Sequence, residues 1–271
     1  MLLRKETYIL VAIIFICILN SCNRNFQFSV LEVKPLDRNI NQKAIVRLKQ
    51  IAPRDSFSFL VISDTQVAYN ELEEFVSHAN KNYTEDSIVF ILHGGDFTDY
   101  GANFEYNLYY DDAKDLKFPV IGAIGNHDML SNGREIFRKL FGQENFSFTY
   151  GDNKFIVFNT NGREVGFNSL LPDLTWLKQE VENTSENNIF YLAHVSPMSY
   201  DFDPTLRAEY VETLASNKKT RLSIHGHTHS YEYDTPYNDG VPYVVAPTLQ
   251  KRQYVKVSVM GKNIKIQQRF Y

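Results

Sequence analysis

Five short apolar runs in this chain each end on a carboxylate, an amide or an imidazole, and that recurrence narrows the folds open to it. Phe57–Ser63 leads into Asp64-Thr65-Gln66, and Ile88–His93 into Gly94-Gly95-Asp96-Phe97-Thr98-Asp99. Val120–Ile124 leads into Gly125-Asn126-His127-Asp128, Asn188–Ala193 into His194, and Arg221–His225 into Gly226-His227-Thr228-His229. Each run has the length and the β-branched and aromatic content of a strand. Four of the seven histidines stand at these ends. In layered α/β folds, loops at the carboxyl ends of strands converge on one crevice, so the pattern predicts one site fed by five strands.

Four more runs, Lys154–Asn159, Pro242–Ala246, Tyr254–Met260 and Asn263–Gln268, also read as strands, with Gly261-Lys262 as the turn of a last hairpin. Helical spacing fills Asn70–Asn80, Asn103–Asp115, Gly133–Phe141, Asp173–Asn183 and Leu206–Ser216. Strands alternating with helices and then following one another predict an α/β layered domain whose sheet continues into antiparallel hairpins. A chain of 271 residues, 44% of them hydrophobic, buries a substantial core without disulfide or metal staples. Residues 51–271 are expected to form one domain, and 22–50 an N-terminal tether with lead-in strands.

The first residues read as an address. Arg4 and Lys5 precede an apolar stretch from Tyr8 to Ile18, too short for the roughly 20 residues of a spanning helix but of signal-peptide length. The segment closes on Leu19-Asn20-Ser21-Cys22, which resembles the lipobox of bacterial lipoproteins. That resemblance implies removal of residues 1–21, lipidation of Cys22, and a place in the bacterial cell envelope, at the periplasmic face or the outer membrane. Membrane contact would run through the N-terminal lipid alone. The mature chain would carry 26 basic and 31 acidic residues, a balance that argues against polyanion capture, so no nucleic-acid partner is expected.

Carboxylates neutralise and bridge cations, imidazoles ligate them directionally, and together they suit a pair of divalent ions. His227 and His229, two apart, would share one face of an extended strand, and in a turn both could still reach one site. Gly95, Gly125 and Gly226 allow sharp turns and close backbone approach. The ordered set over residues 57–230 resembles the calcineurin-like metallophosphoesterases, whose pattern is D-x-H, G-D-x-x-D, G-N-H-D/E, a lone H, then G-H-x-H. Tyr100 falls one place too late for the G-D-x-x-Y of purple acid phosphatases.

The resemblance implies a four-layer αββα sandwich with mixed sheets and C-terminal antiparallel strands. It also implies hydrolysis of a phosphate mono- or diester by a hydroxide bridging two divalent cations, on a small phosphorylated substrate. One ion would be held by Asp64, Gln66, Asp96 and His229, the other by Asp96, Asn126, His194 and His227. His127 would serve the leaving oxygen, Asp128 would orient His127, and Asp99 would support them from behind. Gln66 departs from the pattern, with an amide in place of an imidazole. It either ligates through its carbonyl oxygen, making a harder site that favours Mn over Fe, Zn or Ni, or it weakens the first ion's site. In the second case the protein would be a poor or inactive enzyme, a surface lipoprotein that binds a phosphorylated ligand through the same fold. His93 and His225 read as satisfied core histidines, His78 as exposed, and Tyr69, Tyr100, Tyr106, Tyr109 and Tyr110 as core and rim. Specificity is expected in loops without motifs, such as Gly101–Leu116, Ser131–Glu144 and Ser199–Leu206.

Overall fold

The computed structural model describes residues 32–271; the expected export segment and Cys22 lie outside the described residues. Within them, β1 (Ser56–Ile62), β2 (Ile91–His93), β3 (Val120–Gly122), β10 (Gln253–Met260) and β11 (Asn263–Phe270) form one mixed sheet in the order β11-β10-β1-β2-β3. A second sheet joins β4 (Phe146–Tyr150), β5 (Asn153–Val157), β6 (Asn188–Leu192), β7 (Thr220–His225), β8 (Glu232–Asp234) and β9 (Tyr243–Val245) in the order β4-β5-β6-β7-β9-β8.

Side chains alternate across a strand, and β1 shows the consequence. Its Phe57, Phe59 and Val61 enter the core between the sheets, together with Phe155 of β5, Phe190 of β6 and Val257 of β10. Phe59 meets Phe155 and Phe190 edge-on at 5.6 and 5.9 Å, contacts worth about 0.5–1.5 kcal/mol each beyond area burial. Leu60 and Ile62 point the other way, against the helices Tyr69–Asn82, Asn103–Ala113 and Gly133–Leu140. Helices Leu174–Glu182 and Arg207–Ala215 cover the second sheet. The layers therefore run helix, sheet, sheet, helix, as the resemblance implied. The final hairpin turns between Met260 and Asn263, as read from the sequence.

The lead-in strands expected in 22–50 are not found in its described part. Residues 32–39 are irregular and Ile40–Leu48 is a helix. Ala44, Ile45 and Leu48 lie on one of its faces and enter the intersheet core, so this stretch belongs to the domain. Asn41 shows what the helix does for the sheet. β3 is an edge strand, and the Asn41 amide accepts from Gly122 N–H at 2.8 Å and donates to Gly122 C=O at 2.9 Å. Both bonds satisfy backbone groups that an open edge leaves unpaired. Two edge strands of the other sheet also carry too little sequence signal to be read in advance. β4 alternates Phe146, Phe148 and Tyr150 with Ser147 and Thr149, while β8 is exposed along its whole length and carries no apolar signal.

Leu48 is fully buried, so Leu48→Ala should lower stability by about 2–5 kcal/mol in denaturant unfolding. A loss below about 0.5 kcal/mol, the size of a surface change, would return the segment to the status of a tether.

Candidate metal centre

The loops after β1, β2, β3, β6 and β7 meet at one end of the sandwich. Ligand atoms of Asp64, Asp96 and His194 lie within 4.8 Å of one another, and all three residues are buried. Asp96 Oδ2 is 3.1 Å from His194 Nε2 and 3.3 Å from Gln66 Nε2. His229 Nε2 is 3.2 Å from Asp64 Oδ1 and 3.4 Å from Gln66 Nε2. Asn126 Oδ1 in turn lies 2.9 Å from both His194 Nε2 and His227 Nδ1. The structure thus brings together all seven side chains that the motif order singled out, with Asp96 in contact with both groups.

The backbone is bent to achieve this. Asp64, Asp96, His227 and His229 adopt left-handed φ angles of 53°, 58°, 77° and 59°, a conformation that costs non-glycine residues of order 1–3 kcal/mol each and clusters at functional sites. The two histidines of Gly226-His227-Thr228-His229 therefore sit in a turn, beyond the end of β7. A Cβ on Gly125 would overlap the Asp96 amide and carboxylate, and one on Gly226 would overlap the Ser63 hydroxyl; only glycine admits these approaches.

The donor set demands positive charge. Nδ1 of His194 lies 2.7 Å from the Gly94 carbonyl, an acceptor, so that nitrogen carries the hydrogen and the Nε2 lone pair faces Asn126 Oδ1 and Asp96 Oδ2. Acceptors facing acceptors at about 3 Å repel unless a proton or cation lies among them. Burial opposes protonation of His194, yet Asp96 and then Asp64 overcome it and push its pKa up to about 10. Burial likewise raises the Asp96 carboxyl, and His194 and His127 more than reverse this, leaving it below the usual carboxylate range. Gln66 Oε1 is buried with no hydrogen-bond partner. Carboxylates, an amide oxygen with a free lone pair and imidazole nitrogens are the donors that divalent cations of the Mn to Zn series take, so the residues present fit such a group.

Asp128 does not orient His127. Its carboxylate, fully buried, accepts from Asp96 N, Phe97 N, Thr98 N, Thr98 Oγ1 and Gly125 N at 2.9–3.1 Å. It ties the Asp96 loop to the Asn126 loop instead. His127 is held by Asp99: its Nδ1 lies 2.7 Å from the Asp99 carbonyl and 3.6 Å from the Asp99 carboxylate, and its amide donates to Asp96 Oδ1. Sequence reasoning missed Asp201, whose Oδ2 lies 2.9 Å from His227 Nε2. No motif marks it, and its loop, Ser199–Leu206, reads in the sequence only as a determinant of specificity.

The remaining histidines are structural. His93 donates or accepts at both nitrogens, with Thr65 Oγ1 at 3.1 Å and Gly95 N at 3.1 Å. His225 bonds Ser223 Oγ at 2.8 Å through Nε2, while its buried Nδ1 has no partner. His78 is half-buried against Tyr254, whose hydroxyl is 3.1 Å from its Nε2, rather than exposed as its polar helix implies. Tyr106 and Tyr109 are core, and Tyr100 is an exposed rim residue.

A family model described as calcineurin-like phosphoesterase matches residues 57–231. No curated protein sequence matches the chain. Among solved structures, a dimetal phosphatase from Danio rerio superimposes with a TM-score of 0.64 at 12% identity, covering 79% of this chain and 96% of that one. Purple acid phosphatase PPD1 from yellow lupin gives 0.62 at 12% identity, covering 79% and 51%. GAP50, described as the anchor in the inner membrane complex of Plasmodium, gives 0.57 at 14%, covering 79% and 84%. At these identities the likeness establishes a shared fold.

Asp128→Asn should cost about 2–5 kcal/mol of stability in denaturant unfolding, because the new amide N–H₂ meets backbone N–H donors; an unchanged midpoint would contradict its role in tying the loops. The buried histidines set a pH dependence. Burial, and then the charge of His194, push the pKa values of His93 and His225 from an ordinary 6.5 to about 3. Below pH 6.5 the unfolded chain then binds more protons than the folded one. The contribution of these two histidines is whole above that pH and falls as pH drops toward 3, by up to about 1.4 kcal/mol per pH unit per histidine. The Asp128 carboxyl, which burial and Asp96 push up to about 7, works in the opposite sense over the same range, but two histidines outweigh one carboxyl. In chelator, the melting temperature should therefore still decline between pH 6.5 and 5; a flat or rising profile there would contradict the burial of two neutral imidazoles.

Proposed function

Because the chain belongs to the calcineurin-like phosphoesterase family, we propose that it is a hydrolase that splits a phosphate mono- or diester with two divalent cations. The observation that carries the proposal is the meeting of two donor groups at one carboxylate. Asp64, Gln66 and His229 form one contact group that reaches Asp96 through Gln66, and Asn126, His194 and His227 form another that reaches Asp96 through His194. The first group would hold one cation and the second the other, with Asp96 shared. Bound there, divalent cations supply charge neutralisation at the phosphoryl oxygens and an acidified water.

The chain's own residues supply the rest. Asp64, Asp96 and His194 are at most 1% exposed, so their charges act in a medium where electrostatic interactions are strong. His127 is the partly exposed group beside them. With Nδ1 donating to the Asp99 carbonyl, a proton can leave from Nε2 only when the ring carries both hydrogens. The Asp99 carboxylate at 3.6 Å balances that charge. His127 then protonates the leaving oxygen, and Asp99 keeps the ring in place. The oxygen-rich first group, with the unpartnered Gln66 Oε1, favours Mn²⁺ over Zn²⁺. The same reading keeps the expectation that the chain is exported and held to the bacterial envelope by a lipid on Cys22, with a small phosphorylated molecule as substrate.

The test begins from chelator-treated protein titrated with Mn²⁺ and supplied with aryl phosphate mono- and diesters. About two equivalents should bind and hydrolysis should appear with them. Protein that takes up no cation, or takes it up and leaves every ester intact, would overturn the proposal, the latter outcome pointing to a ligand-binding role. His127→Ala should slow turnover by about 10²–10⁴-fold at unchanged metal content; loss of metal instead would make His127 a ligand.

A further inference from the structure

We infer that Asp201 is a positioning residue that fixes the tautomer of His227, and that Arg163 steadies Asp201 in that task. The inference rests on the proposed metal reading for its consequence, but its geometry stands alone. His227 has two hydrogen-bonding neighbours at equal distance: Asp201 Oδ2 lies 2.9 Å from Nε2, and Asn126 Oδ1 lies 2.9 Å from Nδ1. A neutral imidazole carries one N–H, so only one of these acceptors receives it. If Nδ1 carried the hydrogen, it would donate to Asn126 and its lone pair would be lost to a cation. If Nε2 carries it, the Nδ1 lone pair faces the point where Asn126 Oδ1 and His194 Nε2 also converge.

The competition is between a carboxylate and an amide carbonyl. Hydrogen bonds to an ionised acceptor are roughly twice as strong as neutral ones, so Asp201 takes the hydrogen. Asp201 is itself held: its amide donates to Ser199 Oγ at 3.1 Å, and its Oδ1 accepts from Arg163 Nη1 at 2.9 Å. His194 reaches the same end by the opposite tautomer, with the Gly94 carbonyl taking its Nδ1 hydrogen. The two rings thus turn different nitrogens toward one point, which requires a separate acceptor behind each. Carboxylates and carbonyls behind ligating histidines commonly govern metal affinity in this way. The Arg163 side chain is 61% exposed, and exposed ion pairs contribute little, so its effect should be the smaller.

Three variants test this: Asp201→Ala, Asp201→Asn and Arg163→Gln, each checked for an unchanged thermal transition. In the chelator-treated wild type, ¹⁵N–¹H correlation spectra of the imidazoles should show His227 as the Nε2–H form. Asp201→Ala should show Nδ1–H character, whereas Asp201→Asn, whose neutral amide oxygen competes with that of Asn126 on equal terms, should show a mixture of the two forms. In Mn²⁺ titrations, Asp201→Ala should weaken one of the two binding steps by about 10–100-fold, Asp201→Asn and Arg163→Gln by less. An Nε2–H ring in Asp201→Ala with both steps unchanged would overturn the inference. If Asp201→Ala does not fold, a purely Nε2–H ring in Asp201→Asn with both binding steps unchanged would overturn it as well. Wild-type protein that binds no cation would defeat the proposed function and leave the tautomer measurement to decide this inference alone.

Discussion

The repulsion among buried electron-pair donors is the constraint around which the molecule is organised. Two carboxylates and an imidazole with almost no solvent exposure stand within 4.8 Å of one another. An amide oxygen and further imidazoles close around them. Such a group has no stable arrangement without compensating positive charge, since desolvation disfavours the ionised carboxylates and each lone pair faces another. The strong upward displacement of the His194 pKa expresses the same demand in a single residue. The divalent cations that membership of the calcineurin-like phosphoesterase family implies would supply that charge.

Holding donors in mutual repulsion requires a stiff frame. The aromatic interface between the sheets provides it, with Phe59, Phe90, Phe155 and Phe190 stacked or edge-on within 6 Å. Strand ends leaving such a core have little freedom, so the bends fall in the loops, where Asp64, Asp96, His227 and His229 accept left-handed backbone. Asp128 then locks the Asp96 loop to the Asn126 loop, using its carboxylate as the hub of five donated bonds. Its place directly after His127 in the sequence suggested a partnership that the fold reverses: the side chain turns inward, and Asp99 approaches His127 from the neighbouring loop.

The elements legible in advance were those whose burial leaves a periodic mark. All nine apolar runs lie on strands, and the five helical patterns lie on helices, with ends displaced by up to three residues. Those that escaped lie at sheet edges. β4 shows one buried face only in its aromatic residues, and β8 shows none. The helix Ile40–Leu48 carries Ile40, Ala44, Ile45 and Leu48 at helical spacing, but a polar lead of charges and amides masks its start. Its most telling residue, Asn41, acts through two bonds to Gly122, eighty-one positions away; no local pattern announces a contact of that separation.

By itself, the sequence determined which residue types arrive at the strand ends and in what order, because strand periodicity fixes where each run stops and the motifs fix the polar residues placed just beyond it. That was enough for an α/β layered fold class and for the expectation that Asp64, Gln66, Asp96, Asn126, His194, His227 and His229 would meet. Tertiary structure alone decided which atom of each side chain faces which neighbour. The division of labour between Asp99 and Asp128, and the place of Asp201 behind His227, depend on loops joined over 26 to 32 positions. Hydrogen-bond direction depends on orientations to within a fraction of an ångström, and these are set by packing across the whole domain rather than by anything a local stretch of sequence encodes.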